Sequence, residues 1–419
     1  MFFIWTRWMP EIRHAHEALL NKMNKKGHDM SFYTKTNLSP LPPMNQILIF
    51  VALTLICVIG LAFGLHTMLV GHHHTFGTTR EVPWGLLITP YVFFACLSTG
   101  LCMISSFGQV FGIKTFKPLV PRTVFLSIIS MAAGLMCIGL EVETPWRFGL
   151  YALFSPQSFS NIWWKATIYS LFTALMISNF LLLMIRREKS ARVFATIAFV
   201  VVTIGNLNMN SDMELLGARG FWSEGYMPLY FLSLSALTGC AAVLLFNWTS
   251  SAFNNQSLQN QDDMALQATG RLFLVLLLGI FYFTVVKIMG GFFPKFTNNP
   301  EAMALLVQGD FSHIFWIGEV GLAVLLPLAL ILFTKGKKVI ALALAGLSCL
   351  TGVFILFYNL VIVGQLIPHY QHYDIADMPQ YYAYSPSLHE IMISVGVTFF
   401  FLATYIFGEL LFKKIYAHE

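Results

Sequence analysis

Along most of the chain, apolar residues run on for the length of a membrane span before a polar break, without the strict alternation of a strand. A spanning helix needs about 20 mostly apolar residues. Ten segments meet that requirement: 46–70, 84–110, 123–142, 162–185, 193–208, 226–247, 265–290, 311–333, 339–366 and 387–412. The fifth is short, and its pattern points to an extension into Asn208–Asn210. The strands of a membrane barrel would alternate over about 10 residues. The runs therefore predict an all-α, polytopic membrane protein of about ten transmembrane helices. Residues 1–45 form a polar tail, closed by Pro40, Pro42 and Pro43 and expected to hold a short amphipathic helix near Glu11–Lys22. Its apolar start is too short for a signal-peptide core. The polar segment 248–264, rich in Asn and Gln, separates the first six helices (46–247) from the last four with a short C-terminal tail (265–419).

Composition narrows the class further. Of 419 residues, 57% are hydrophobic and 11% charged, against about 25% charged in an average soluble protein. This excludes a soluble globular enzyme, a disordered chain and a nucleic-acid binder, and makes the lipid bilayer the chain's main surroundings. Lys and Arg are unevenly divided between alternate loops. The two tails with 111–122, 186–192, 248–264 and 334–338 hold 18, and the other five loops hold only Arg80, Arg147, Arg219 and Lys295. Basic residues stay on the cytoplasmic side. Both termini are thus expected in the cytoplasm, in a bacterial inner membrane. The outward loops carry Glu81, Glu143, Asp212, Glu214, Glu224, Glu301, Asp310, Asp374 and Asp377.

Seven charged side chains fall within the spans: Glu141, Lys165, Arg271, Lys287, Glu319, Glu390 and Glu409. A charge in hydrocarbon costs at least about 2.5–3.5 kcal/mol, so such groups are paired, snorkelled or functional. Lys165 and Glu409 lie near span ends, where snorkelling is the expectation. Arg271, about 9 Å inside the seventh span by helical rise, suits either snorkelling or pairing. Glu141, Lys287, Glu319 and Glu390 belong to the outer halves of their helices, as do the span histidines His66, His313 and His389. One polar pocket facing the outer side accounts for them together.

The remaining metal and haem signals are weak. Cys57, Cys96, Cys102, Cys137, Cys240 and Cys349 all lie in apolar runs, with no C-x-x-C pair, so neither an iron–sulphur cluster nor a zinc site is expected. No span histidine lies in an inner half, so stacked haems are not expected either. The run His72–His73–His74 reads as loop, and three consecutive imidazoles cannot turn to one ion without strain.

Three stretches resemble a known family. They are Val82–Pro83–Trp84–Gly85–Leu86 with Leu97–Ser98–Thr99–Gly100 and Lys117–Pro118–Leu119–Val120; Leu140–Glu141–Val142–Glu143–Thr144–Pro145–Trp146–Arg147 followed by Ile162–Trp163–Trp164; and Tyr384–Ser385–Pro386–Ser387–Leu388–His389–Glu390. In order and spacing they are similar to the NrfD family, the membrane subunits of polysulphide reductase and related complexes. The ten-span count resembles its longer branch, as in periplasmic hydrogenase and alternative complex III. Glu141, Pro145 and Arg147 would take the family's acid, proline and second arginine, while Glu143 and Thr144 stand where it has Gly and Arg. Glu319 resembles an intramembrane acid of the long branch.

The resemblance implies two four-helix bundles, spans 2–5 and 6–9, flanked by spans 1 and 10. It also implies a subunit with no haem or iron–sulphur cluster of its own. Such a subunit would bind menaquinone or ubiquinone near the outer face. It would exchange electrons with a periplasmic four-cluster iron–sulphur subunit and a multihaem cytochrome c or a molybdopterin- or hydrogenase-type catalytic subunit. Glu141 with His66 or Arg147, beside Trp84, would then line the head-group site. Glu319, Glu390, His389 and Lys287 would form a nearby proton-conducting or structural network. Intramembrane Glu and Lys suit a proton or solute transporter equally well, although no repeat is visible. A structural anchor for an extracytoplasmic enzyme is the third reading.

Overall fold

The computed structural model describes residues 44–209, 220–222, 225–254, 260–297, 299–368 and 379–416. The expected helix near Glu11–Lys22, Asn210, and the acids Asp212, Glu214, Glu224, Asp374 and Asp377 lie outside the described residues. The chain divides into two compact units, Met1–Ile47 and Leu48–Glu419. The first is described only at 44–47, the opening turn of helix α1 (Met44–Val70).

Ten helices are long and apolar enough to cross a membrane, and no strand occurs among the described residues. After α1 come α2 (Ile88–Gln109), α3 (Val120–Glu141), α4 (Asn161–Met184), α5 (Glu188–Leu207) and α6 (Met227–Phe253). Then follow α7 (Asn260–Phe292), α8 (Ser312–Thr334), α9 (Val339–Leu366) and α10 (Leu388–Tyr416). The fifth span gains its length at its start, from Glu188, and ends at Leu207. Much of the polar 248–264 segment is helical, because α6 runs to Phe253 and α7 begins at Asn260. The histidine run is a short helix, His72–Thr75.

Helices α2–α5 pack as one ring and α6–α9 as a second, joined where α2 meets α6, and α10 lies on α3. Between helices in lipid, close packing and buried hydrogen bonds replace the hydrophobic drive. At the α2–α6 seam a Cβ on Gly100 would run into the Ser235 carbonyl, and one on Gly239 into the Gly100 backbone. Only glycine permits that approach. Helices α2 and α3 are stitched by two hydroxyls. Ser98 Oγ donates to the Ser127 carbonyl at 2.7 Å, and Ser127 Oγ donates to that of Ser98 at 2.8 Å. The outward side of α1 exposes Leu48, Val51, Leu55 and Val58, as a lipid-facing helix requires.

Within α8 the stretch Phe315–Leu325 is π-helical. Pro327 begins the α-helical turns after it and has no N–H to donate. The Leu322 carbonyl, five residues earlier, instead accepts from Ser348 Oγ of α9 at 2.7 Å. An i→i+5 turn of this kind re-aims the side chains it carries, and Glu319 is one of them.

Two intramembrane charges depart from the sequence reading. Lys165 and Glu409 do not snorkel. Lys165 is 4% exposed and donates to the Gly205 carbonyl at 2.9 Å. Glu409, 1% exposed, accepts from Arg122 Nε at 2.7 Å, from Ser250 Oγ at 2.5 Å and from Asn254 Nδ2 at 3.3 Å. Arg122 also donates to Asn247 Oδ1 at 2.6 Å. This cluster ties α3, α6 and α10 together at the end of the bundle near the 111–122 loop. Arg271 is exposed on α7.

Removing one partner of a buried pair strands the other charge, at about 3–5 kcal/mol. Arg122→Ala is therefore expected to lower the stability of the chain by that order, measured by thermal unfolding in detergent. The double variant Arg122→Met, Glu409→Met should recover most of the loss. A single variant that melts like the parent would contradict this role.

Candidate functional site

The first turn of α10 organises one end of the bundle. Ser387 and Glu390 form a reciprocal cap: the Glu390 amide donates to Ser387 Oγ at 3.2 Å, and the Ser387 amide donates to Glu390 Oε2 at 2.8 Å. The Glu390 carboxylate is fully buried and accepts three further bonds. The Gly77 amide donates to Oε2 at 2.8 Å, and the Leu86 amide and Tyr384 hydroxyl donate to Oε1 at 3.0 and 2.6 Å. Tyr384 in turn accepts from the Leu86 amide at 2.7 Å. Burial, and then its bond to Glu390, push the Tyr384 phenol above its ordinary range, so it keeps its proton and remains a donor. One carboxylate thus holds the segment 76–87, which joins the His72–Thr75 helix to α2, against the start of α10. Gly85 has no side chain where the Glu390 carboxylate stands, since a Cβ there would collide with Oε1.

Gln365 of α9 holds the same segment from the other side. The Trp84 amide donates to Gln365 Oε1 and Gln365 Nε2 donates to the Trp84 carbonyl, each at 3.0 Å. Trp84 precedes α2 and is part-buried. Its ring lies 6.0 Å from that of Trp222, whose indole N–H donates to the Leu360 carbonyl at 2.9 Å.

Glu141, the last residue of α3, closes the group. The Gly85 backbone and the Glu390 carboxylate face it. Its Oε2 is buried with no hydrogen-bond partner among the described residues. Thr67 Oγ1, His72 Nδ1, Thr89 Oγ1 and Ser394 Oγ share that condition. Each lies within about a helical turn, along the chain or through a bond, of Glu141, Glu390 or the histidine pair. His72 Nε2 bonds the Leu140 carbonyl at 3.0 Å. His66 of α1 and His389 of α10 share a hydrogen bond of 3.1 Å, with stacked rings 5.2 Å apart. Phe63 lies edge-on to His389. Buried polar atoms are nearly always satisfied, so a concentration of unsatisfied ones marks a place built for a polar guest.

The structure does not gather all the residues that the sequence suggested. Arg147 sits on the short helix Pro145–Phe154, exposed and with no side-chain bond among the described residues. Lys287 and Glu319 form a separate buried pair. The ammonium and Oε1 are 2.5 Å apart, with the side chains 1% and 0% exposed. Asn359 Nδ2 donates to Glu319 Oε2 at 3.4 Å, and Lys287 Nζ stands 5.0 Å from the Tyr230 ring centre. Tyr230 Oη and Asn359 Oδ1 have no partner among the described residues. Asn359 and Gln365 are six residues apart on α9, so this pair lies about 9 Å further along the helix than the Gln365–Trp84 clamp. Gln365, Tyr384, Tyr230 and Asn359 were not found from the sequence. Only the Ser-x-x-Glu spacing at 387–390 carried a local signal, and it is a cap signal.

Known proteins share this architecture. A family model described as polysulphide reductase, NrfD, matches residues 74–369. The chain is 28% identical over 396 residues to a membrane relative named as part of the selenate reductase of Mesobacillus selenatarsenatis, covering 84% of this chain and 91% of that one. It is 22% identical over 377 residues to the Hdr-like menaquinol oxidoreductase integral membrane subunit of Archaeoglobus fulgidus, covering 87% of this chain and 94% of that one. The family match takes in the 76–87 segment, Glu141, the Lys287–Glu319 pair and Gln365, and it shows that the chain belongs to the NrfD family of polysulphide reductase.

Proposed function

We propose that this chain is the quinone-interacting membrane subunit of a respiratory oxidoreductase, and that a hydroquinone head group is oxidised at the Glu141 end of the bundle. The observation that carries this reading is the buried, unpartnered Glu141 Oε2 among other unsatisfied polar atoms. The name of the Archaeoglobus relative supports menaquinol as the donor.

The chemistry follows from the groups present. Oxidising a hydroquinone removes two electrons and two protons. Glu141 Oε2 takes one hydroxyl proton. The His66–His389 pair, which shares one hydrogen bond, takes the second on its free ring nitrogen. Trp84, held through its backbone by Gln365, forms an apolar wall for the ring. Arg147 contributes charge at the rim. The electrons pass to a periplasmic iron–sulphur partner with four clusters, and from it to a cytochrome or molybdopterin subunit. The 18-to-4 division of basic residues supports a site near the outer face, with both termini in the cytoplasm. Lys287 and Glu319, with Tyr230 and Asn359, serve as a second proton-holding group deeper in the bundle.

General acid–base groups contribute about 10²–10⁴-fold. Glu141→Gln is expected to slow quinol oxidation by that order while the complex assembles in normal amounts, measured with membranes reduced by a naphthoquinol. Normal turnover would sink the assignment. Glu319→Gln, assayed in sealed vesicles, should keep quinol oxidation and lower the number of protons moved per electron. If oxidation is lost instead, the pair belongs to the quinone site itself.

A further inference from the structure

We infer that Glu390 is a positioning residue for proton transfer at Glu141 and carries no proton itself; this rests on the quinone reading above. The Gly77, Ser387 and Leu86 amides and the Tyr384 hydroxyl all donate to its carboxylate. Its own backbone amide is bonded to Ser387 Oγ. An ionised carboxylate only accepts. Each oxygen here already takes two donors, so the pattern suits that form and leaves no place for an O–H. A relay group must instead exchange partners as its proton comes and goes. The charge is met by the amides and by the N-terminal turn of α10, where a negative side chain is stabilised.

The geometry also says what is positioned. Gly85 lies between the two acids: its backbone faces Glu141, and the place of its missing Cβ is taken by Glu390 Oε1. Glu390 bonds the next residue, Leu86, and thereby sets the peptide that Glu141 faces. The titratable groups facing Glu390 are Tyr384 before α10, Tyr358 on α9 and Glu141 on α3. Among the described residues no cation forms an ion pair with it. A misplacement of about 1 Å in a reacting group costs about 10²-fold in rate, so this clamp controls turnover without touching the quinone.

The test is a mutant cycle on the purified, fully assembled complex, with menadiol as electron donor. Glu390→Gln keeps the size of the side chain but brings an NH₂ against donors. Gly85→Ala drives a methyl into the same carboxylate. Each is expected to lower kcat by about 10–100-fold with KM changed less than about threefold. The double variant should be no worse than the poorer single, and in Glu390→Gln the pH profile of kcat should be displaced, because Glu141 loses a charged neighbour. Multiplying losses, an unmoved profile, or a parental kcat in Glu390→Gln would each overturn the proposal. So would failure of both single variants to assemble, which would make Glu390 a folding residue only. Glu141→Gln, run alongside, separates the two ideas. Normal turnover there removes the quinone site, whereas an inactive Glu141→Gln with independent Gly85 and Glu390 effects removes only the positioning role.

Discussion

Lipid offers no hydrogen bonds, so every charge inside the bundle must be answered by the protein. Three buried carboxylates show three answers. Glu409 takes a guanidinium, a hydroxyl and an amide, and binds three helices at one end. Glu319 takes an ammonium on a π-helical stretch, leaving a phenol and an amide oxygen beside it unsatisfied. Glu390 takes backbone amides and a phenol, with no cation, and binds loops instead of helices. Glu141 is the exception, and that contrast is what marks it.

The same constraint explains the division of labour along the chain. Fully satisfied polar groups stitch the structure: Ser98 to Ser127, Gln109 to Asn179, Arg122 to Glu409. Incompletely satisfied ones gather at the ends of α1, α2, α3 and α10 and around Lys287. A half-satisfied buried network is unfavourable for stability alone. Its persistence at two places, in a bundle otherwise careful to pair its polar atoms, is the signature of sites kept for chemistry.

The spans were legible because hydropathy over about 20 residues is a local property. Glu141 was legible as an acid at a span's outer end. The burial of Lys165 and Glu409 was not, for a physical reason. Both stand near helix ends by count, but the direction of a side chain depends on which face packs inward. Helix α10 also continues to Tyr416, which puts Glu409 about two turns inside. The partnership of Gln365 with Trp84 spans 281 positions and has no local trace. The π-helical turn depends on Pro327 together with a hydroxyl from α9, and only the proline is visible in its own segment. The grouping of Glu390 with Lys287 and Glu319 as one network came from their shared level in the membrane. The structure separates them by the identity of their partners.

The clamp on segment 76–87 has a consequence for how the protein is made. That segment joins the first two helices, yet its holders are Gln365 on the ninth and Glu390 on the tenth. A ribosome adds residues in order, at about 5–20 per second. The segment therefore waits about 15–60 s, through the synthesis of roughly 300 residues, before its last holder exists. Until the tenth helix leaves the ribosome and inserts, the earlier nine form a bundle with an unfinished end. The site is thus the last part of the chain to be completed, and a product truncated before α10 would be a membrane-inserted protein without it.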